Sequence, residues 1–487
     1  MTSESQQIRE QLDHPIIDAD GHVQEYLPAA MPYLREALGP KKFEEYRAQT
    51  SQHDSIIGGH DWERRQRTRT PQSAWWGTPG NTRDLATAAI PGLLHERMDE
   101  FGIDYSILFP SKALGIAGHD DDEMRNGLCR GFNDFLFDTY RPYADRLTAG
   151  AVIPMHTPDE ALVELDRCAA NGVKVVSFPE GVLRPIEEPG AASPWLLPGQ
   201  THWFDTFGLD SAHDYDPVWA KCVEHGFAVT FHGGLGDLAP FTFTSISSYV
   251  YNHIGFFAER MNRLCKSLFM GGVTNRFPTL NIAFLECGVG WASSLLIDFI
   301  EHWEKRNLEA LEGNLDPALV DLDEFERLMT SYGADLLVKA GDVDVKATLR
   351  DMIAVGVEPP HRDEFRFMGI EKKSDIRDKF VPRFFFGCEA DDRAIAFAFS
   401  EANAFGARLQ PIFSSDLAHW DVEDMAGVVD EAHGLVRKGL LTDADFADFT
   451  FHNPVKLFTQ GNPGFFDGTV VESAARKAIE SGAVSTA

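Results

Sequence analysis

The chain has 487 residues, with 44 basic and 75 acidic side chains and a formal net charge of −31. That balance excludes nucleic acid and anionic membranes as partners, although a local metal or arginine cluster can still hold a small anionic substrate. No apolar run approaches membrane-spanning length, no secretory leader opens the chain, and the six cysteines form no Cys-x-x-Cys pair, so a cytoplasmic protein with reduced thiols is expected.

In chain order, the first dozen residues are expected to be loosely held. The first strand is Ile16–His22, an apolar run ending in Asp20 and His22. Residues i and i+2 of a strand share a face, so a carboxylate and an imidazole can point at one ligand, as half of a divalent metal site would. Taken alone, the pair also suits a turn. An insertion from about residue 24 to 89 follows, holding Asp61-Trp62-Glu63-Arg64-Arg65-Gln66-Arg67 and Trp75-Trp76-Gly77. Tryptophan beside arginine suits a site that stacks a planar substrate and neutralises its carboxylate, which makes Arg64, Arg65, Trp75 and Trp76 candidate substrate contacts. Packing of the insertion onto the main body is the alternative for the tryptophans.

Strands are then expected at Tyr105–Ser111, Leu147–Met155, Val173–Glu180 and Phe227–Gly233, the last ending in His232. Helical patterns lie between them at Asp122–Tyr140, Asp159–Asn171 and Pro217–His225. His253 falls in a helical stretch and reads either as a substrate contact or as a core histidine. The sixth strand, Leu280–Glu286, ends in a carboxylate and leads to a helix over Ala292–Arg306. A second insertion, about residues 307 to 379, reads as helices such as Leu322–Tyr332 and Val345–Val355, forming a lid, a pocket wall or an oligomer contact. Strands Arg383–Glu389 and Leu409–Asp416 close the series, with helices expected over Arg393–Phe405 and Val422–Lys438. His419 and Trp420, just past Asp416, read as wall residues. Residues 466–487 are expected to form a loosely ordered tail.

Eight near-continuous apolar strands alternating with helices imply a parallel sheet covered on both faces, closed as a β/α barrel. No glycine-rich dinucleotide fingerprint follows the first strand and no phosphate-binding P-loop occurs, which argues against an open sheet. One barrel domain over residues 13–465 is expected, distorted by two insertions at its C-terminal rim. Strands one, five, six and eight each deliver a candidate ligand or acid–base group there: Asp20 and His22, His232, Glu286, and Asp416. Each alone reads as a cap or a satisfied polar group. All four ends at one rim do not.

The chain resembles the amidohydrolase superfamily, in the amidohydrolase 2 branch that includes aminocarboxymuconate-semialdehyde and γ-resorcylate-type decarboxylases. The resemblance lies in Ile16–Glu25, His95–Ser111, Phe231–Gly234, Arg276–Trp291, Phe413–Asp421 and His452–Phe458. It implies a distorted (β/α)8 barrel with one divalent metal held by Asp20, His22, His232 and Asp416, where Asp20 stands in for the first histidine of a common His-x-His. Glu286 departs from relatives that carry a histidine on strand six, and is expected to serve as a base or a further ligand. Lys174 lies at the start of strand four, not its end, so a carbamylated-lysine bridge between two metals is not expected. The nitrogen and oxygen donors suit Zn2+, with Mn2+ or Fe2+ as alternatives. The expected activity is hydrolysis of a small aromatic or cyclic substrate through a metal-activated water, with Asp416 or Glu286 moving the proton. The alternative is non-oxidative decarboxylation of an aromatic or enoic acid, and a non-catalytic barrel is the third reading. A homodimer is the expected assembly.

Overall fold

A computed structural model describes residues 2–53, 62–74, 77–188, 195–233, 244–353 and 361–484. Its parallel strands follow one another in chain order: β1 (Ile17–Val23), β2 (Tyr105–Pro110), β3 (Leu147–Ala149), β4 (Ala151–Val152) and β5 (Val175–Phe178). An antiparallel hairpin of β6 (Val182–Pro185) and β7 (His202–Asp205) intervenes. The parallel series resumes with β8 (Ala228–Phe231), β9 (Ile282–Phe284), β10 (Phe384–Cys388) and β11 (Gln410–Phe413). Strands β3 and β4 are one barrel position split at Gly150, whose N–H bonds Leu108 O at 2.9 Å. The ring closes just past β11, where Asp416 N–H donates to Asp20 O (3.1 Å) and His22 N–H to Leu417 O (2.9 Å). These are the eight strand positions expected from the sequence.

Alternation along the strands feeds two cores. Outward residues such as Leu108, Val176, Val229 and Phe386 pack against Leu136, Leu165, Trp219 and Leu268 of the surrounding helices. Inward residues such as Ile17, Tyr105, Val175, Phe385 and Ile412 fill the barrel and meet Phe458, Phe465, Phe466, Val471 and Ala475. That C-terminal segment plugs the lower mouth. Lys174 donates to Phe465 O just before β5, and Val470 N–H to Asp145 O (3.1 Å) just before β3.

The plug corrects the expectation of a loose tail for residues 466–484, because helix Glu472–Glu480 buries Ala475 and Ala478. The N-terminal residues are likewise ordered. Ser3 caps helix Glu4–Gln11, and Arg9 pairs with Asp104. Helix Asp122–Tyr140 has the expected bounds, set by the Asp121 cap on Met124 N–H. The helix expected over 393–405 shrinks to Ile395–Ala398, because Asn403 Nδ2 donates to Phe397 O, Ala398 O and Ala407 O and replaces continued helical bonding. The helix expected from Val422 starts at Val428, after a short turn capped by Asp424.

Much of the first insertion is an outer layer rather than a lid. Its helical run Leu27–His53 kinks at Gly39 (φ 71°), ahead of Pro40, and packs on Asp122–Tyr140. The contact is close because Gly127 and Gly131 face Leu38 and Leu34, where a Cβ would sit 2.5 and 2.9 Å from their methyl groups. In the second insertion, helices Leu322–Tyr332 and Ala334–Ala340 bury none of their residues, and Tyr332 and Val338 are 85 and 82 % exposed.

Strand β1 carries a local distortion near its C-terminal end. Asp18 pairs with Ser106 and Gly21 with Leu108, so three steps on β1 oppose two on β2. This bulge re-aims the strand end, as bulges do beside functional sites. Gly21 is required in it, since a Cβ there would lie 2.6 Å from Asp18 Oδ2 and 2.7 Å from Ser106 Oγ. Gly21→Ala is expected to destabilise the fold by about 1–3 kcal/mol, measurable by denaturant unfolding. Wild-type stability in that variant would mean that the bulge relaxes freely.

Candidate metal centre

The bulge carries Asp20 and His22 to the upper rim, where His232, Glu286 and Asp416 follow the ends of β8, β9 and β11 by one to three residues. Six side chains converge there, the sixth being His419, and none is more than 6 % exposed. His22 Nε2 is the hub. It lies 3.1 Å from His232 Nε2, 3.0 Å from Glu286 Oε1, and 3.5 Å from both Asp20 Oδ1 and Asp416 Oδ1. His232 Nε2 is 3.6 Å from Asp20 Oδ1 and from Glu286 Oε1. His419 stacks on His22 with centroids 3.8 Å apart, and its Nδ1 lies 2.6 Å from Asp416 Oδ1 and 3.0 Å from Glu286 Oε1.

Backbone and buried polar groups hold this arrangement. Glu286 and Asp416 have φ of 50° and 51°, a left-handed conformation that costs a non-glycine residue of order 1 kcal/mol and recurs at functional sites. Asp18, one turn of the pleat below, accepts from Ser106 Oγ (2.6 Å), Ser415 N–H (2.9 Å), Ser415 Oγ (2.7 Å) and Asp20 N–H (3.2 Å). It thereby ties β1 to β2 and to the loop that presents Asp416.

The donor set fits a divalent cation. Both carboxylate oxygens of Asp20, both of Glu286 and Oδ1 of Asp416 are buried without a hydrogen-bond donor in bonding geometry. His232 Nδ1 lies 3.1 Å from Gly233 O, so it must donate there, which turns the Nε2 lone pair into the cluster. Burial holds the His22 imidazole down to about 3, helped by the His419 charge, and lowers His232 as well, so both rings are neutral as ligands must be. Burial pushes the Asp20 and Asp416 carboxyls well up, reinforced by the neighbouring Glu286 charge. Converging lone pairs and crowded carboxylates are an arrangement that a cation relieves. By distance, the groups among the described residues able to hold one are Asp20 with His22 and His232, and His22 with Glu286, Asp416 and His419.

The structure thus brings together Asp20, His22, His232, Glu286 and Asp416. His419, read from the sequence only as wall, joins them because the loop after β11 turns back within three residues, with Ala418 at φ 80°. His253 stands outside the cluster. It packs against Phe257 (6.2 Å) and Trp420 (5.9 Å), its Nδ1 donates to Ala74 O (3.0 Å), and Phe257 in turn edges His232 (6.4 Å). Arg64 is exposed, whereas Arg65 Nε donates to Ile246 O (3.1 Å) and fastens helix Trp62–Thr68 to the segment leading to His253. Trp75 and Trp76 lie outside the described residues. Lys174 sits at the far end of the barrel from the cluster, against the C-terminal plug.

A rim of histidines and carboxylates on a β/α barrel is an arrangement suited to hold a divalent ion, as in enzymes of the amidohydrolase type. The chain matches the amidohydrolase family model over residues 17–337 and belongs to that family. Among solved structures it is similar to an amidohydrolase from Mycobacterium avium subsp. paratuberculosis K-10, with 17 % identity over 92 % of this chain and 100 % of that one and a TM-score of 0.51. It is also similar to 5-carboxyvanillate decarboxylase from Novosphingobium aromaticivorans DSM 12444, solved with manganese (15 % identity, 92 % and 96 % coverage, TM-score 0.47). A dihydroxybenzoic acid decarboxylase from Polaromonas sp. JS666, also with manganese, matches at 16 % identity, 92 % and 98 % coverage and a TM-score of 0.45. At these identities the likeness is one of fold. No helix among the described residues is long and apolar enough to cross a membrane.

Proposed function

We propose that this amidohydrolase is a metal-dependent carboxy-lyase that removes carbon dioxide from a small aromatic or enoic acid. The observation that carries the reading is the convergence on His22 of two overlapping groups, Asp20 with His232 and Asp416 with Glu286 and His419, whose carboxylate oxygens lack donors. Asp20, His22, His232 and Asp416 are the proposed ligands. A divalent ion held there, zinc or manganese by the donor mix, supplies positive charge that binds a carboxylate and an adjacent oxygen. A carboxylate at the first ligand position, Asp20, is the feature that the resemblance associates with decarboxylase-like members. Deep burial of all six side chains also suits a reaction that does not consume water. Glu286 Oε1 and Asp416 Oδ1 are the atoms to hold the proton that replaces the lost carboxylate on carbon.

Hydrolysis is the second reading, favoured by the open acceptor capacity of Glu286, which would take a proton from an attacking water. Product isotopes separate the two. In D2O a decarboxylase puts one deuterium on the carbon that lost the carboxylate and takes no oxygen from solvent. In H218O a hydrolase puts heavy oxygen into its product. A panel of hydroxybenzoates and enoic acids that yields heavy oxygen and no carbon dioxide would overturn the first reading.

The substrate is proposed to meet His253, Arg64, Arg65, Trp75 and Trp76. Arg65 also anchors its helix, so Arg65→Ala is expected to raise KM for an anionic substrate about tenfold with a smaller change in kcat, the pattern of lost binding. Unchanged KM in steady-state assays would make the 62–76 segment a packing element only.

A further inference from the structure

We infer that a pocket at the lower end of the barrel, where β10 and β11 begin, is a second ligand site that takes a small organic anion: a flat ring carrying one carboxylate. It is independent of the metal-dependent reading. The pocket has a volume of about 430 Å3, and Arg377, Phe399, Phe405, Arg408, Gln410 and Lys456 are among the residues that line it. That volume lies in the range of about 300–1,000 Å3 typical of small-molecule sites, larger than a bare inorganic anion needs. Gln410 opens β11, whereas Asp416 follows its upper end, so the length of the strand separates the pocket from the metal cluster.

The charge in the pocket is unbalanced at one point. Lys456, on helix Asn453–Thr459, donates from Nζ to Gln410 Oε1 at 2.6 Å. Gln410 is itself fixed, because its amide nitrogen donates to Val381 O (2.7 Å) and Phe384 O (3.2 Å). An ammonium carries three hydrogens, so one acceptor leaves two of them to fill. Among the described residues no carboxylate pairs with Lys456. The acids of the pocket wall are held elsewhere. Asp378 pairs with Arg377 (2.6 Å), and Asp448 is 2.9 Å from Arg408, which also reaches Asp445 at 2.6 Å. Burial, with the nearby Arg383 charge, lowers the Lys456 ammonium to about 8. A buried cation without a counter-ion is costly, and an anion seated beside it relieves that cost.

Two rings give the rest of the ligand its shape. Arg377 Cζ lies over the Phe405 ring at 5.3 Å, and Arg408 Cζ over the Phe399 ring at 4.4 Å. Each pair presents an aromatic wall steadied by a cation. Phe405 has a φ of 60°, an outlying conformation for a bulky residue. The turn is held there by Gly406 N–H donating to Asn403 O (2.8 Å) and by Asn403 Nδ2 donating to Ala407 O (3.0 Å). Its ring is nevertheless 44 % exposed, so core burial does not offset the backbone cost. Strain of this kind persists where a ligand uses it, and an offset-stacked flat ring would cover Phe405. Lys456 then meets the carboxylate of that ligand.

Calorimetric titration of the full chain tests this with three probes: benzoate, inorganic phosphate and benzyl alcohol. Lys456→Met is expected to weaken benzoate binding by about 10–100-fold, the value of one charge-assisted hydrogen bond. Phe405→Gly tolerates the same φ and keeps the turn, and is expected to weaken it by about 3–10-fold through the lost ring contact. Phosphate, which has no ring, and benzyl alcohol, which has no charge, should both bind more weakly than benzoate. Benzoate taken up at the metal cluster is a separate event that neither substitution touches, so it is the same in all three proteins. Identical benzoate isotherms for the wild type and both variants, with the fold intact by circular dichroism, overturn the inference. If Lys456→Met fails to fold, Phe405→Gly alone decides. Phosphate that displaces benzoate from the Lys456-dependent site at equal concentration also overturns it, since a receptor for bare anions has no use for the rings.

Discussion

Glu286→Gln is expected to lower turnover by about 10²–10⁴-fold, the loss typical of a removed general acid or base, while the barrel stays folded. The amide copies the shape of the carboxylate, so packing against His22, His232 and His419 is kept. What disappears is the charge at an oxygen 3.0 Å from both His22 Nε2 and His419 Nδ1. The strain at this residue argues that its position matters. A φ of 50° at the end of β9 is held against its own cost by the N–H bonds of Cys287 and Gly288 to Gly387 O (3.3 and 2.9 Å). Metal analysis separates the two roles open to Glu286. Full metal content with lost turnover assigns proton chemistry, whereas metal loss makes it a ligand. Unchanged metal and unchanged turnover would reduce Glu286 to a structural carboxylate and leave the proton to Asp416.

Asp18→Ala should be the most damaging change outside the proposed ligands themselves. Asp18 is fully buried and accepts from two serine hydroxyls and two backbone N–H groups. Each buried donor left without an acceptor costs about 1–3 kcal/mol. The expected loss is therefore about 3–5 kcal/mol, at the upper end for a single substitution. Because Ser415 precedes Asp416, the same change should loosen the seam between β1 and β11 and weaken metal binding. Asp18→Asn, which keeps an acceptor oxygen, should lose less than half as much. Urea unfolding and a metal titration on the three proteins measure both effects. A variant within about 1 kcal/mol of wild type would show that the backbone bonds from Asp416 to Asp20 and from His22 to Leu417 close the barrel unaided.

The candidate site was legible in the sequence to the extent that strand ends are legible. Asp20, His22, His232, Glu286 and Asp416 each terminate an apolar run, and parallel strands of a barrel bring their C-terminal ends to one rim. Asp18 carried no such signal, because a carboxylate inside an apolar strand reads the same whether it faces a ligand or two serines from distant strands. His419 was visible only as a neighbour of Asp416. Its entry into the cluster needs the tight left-handed turn through Ala418 and the stack on His22, neither of which has a local pattern. The β6–β7 hairpin was missed for a similar reason. Arg184 and Asp205 pair with each other across it, and their half-buried strands lack the apolar run that marks the barrel.

By itself, the sequence determined the order and kind of the barrel elements, the polar rim and the residue types on it. Those follow from apolar runs and from the residues that end them, which are properties of a few neighbouring positions. The bulge that aims Asp20 and His22, the closure of β11 onto β1, the C-terminal plug beneath the barrel and the entry of His419 into the cluster were decided only by the tertiary structure. Each depends on hydrogen bonds or apolar contacts between residues tens to hundreds of positions apart, and such pairings form only when the whole barrel closes.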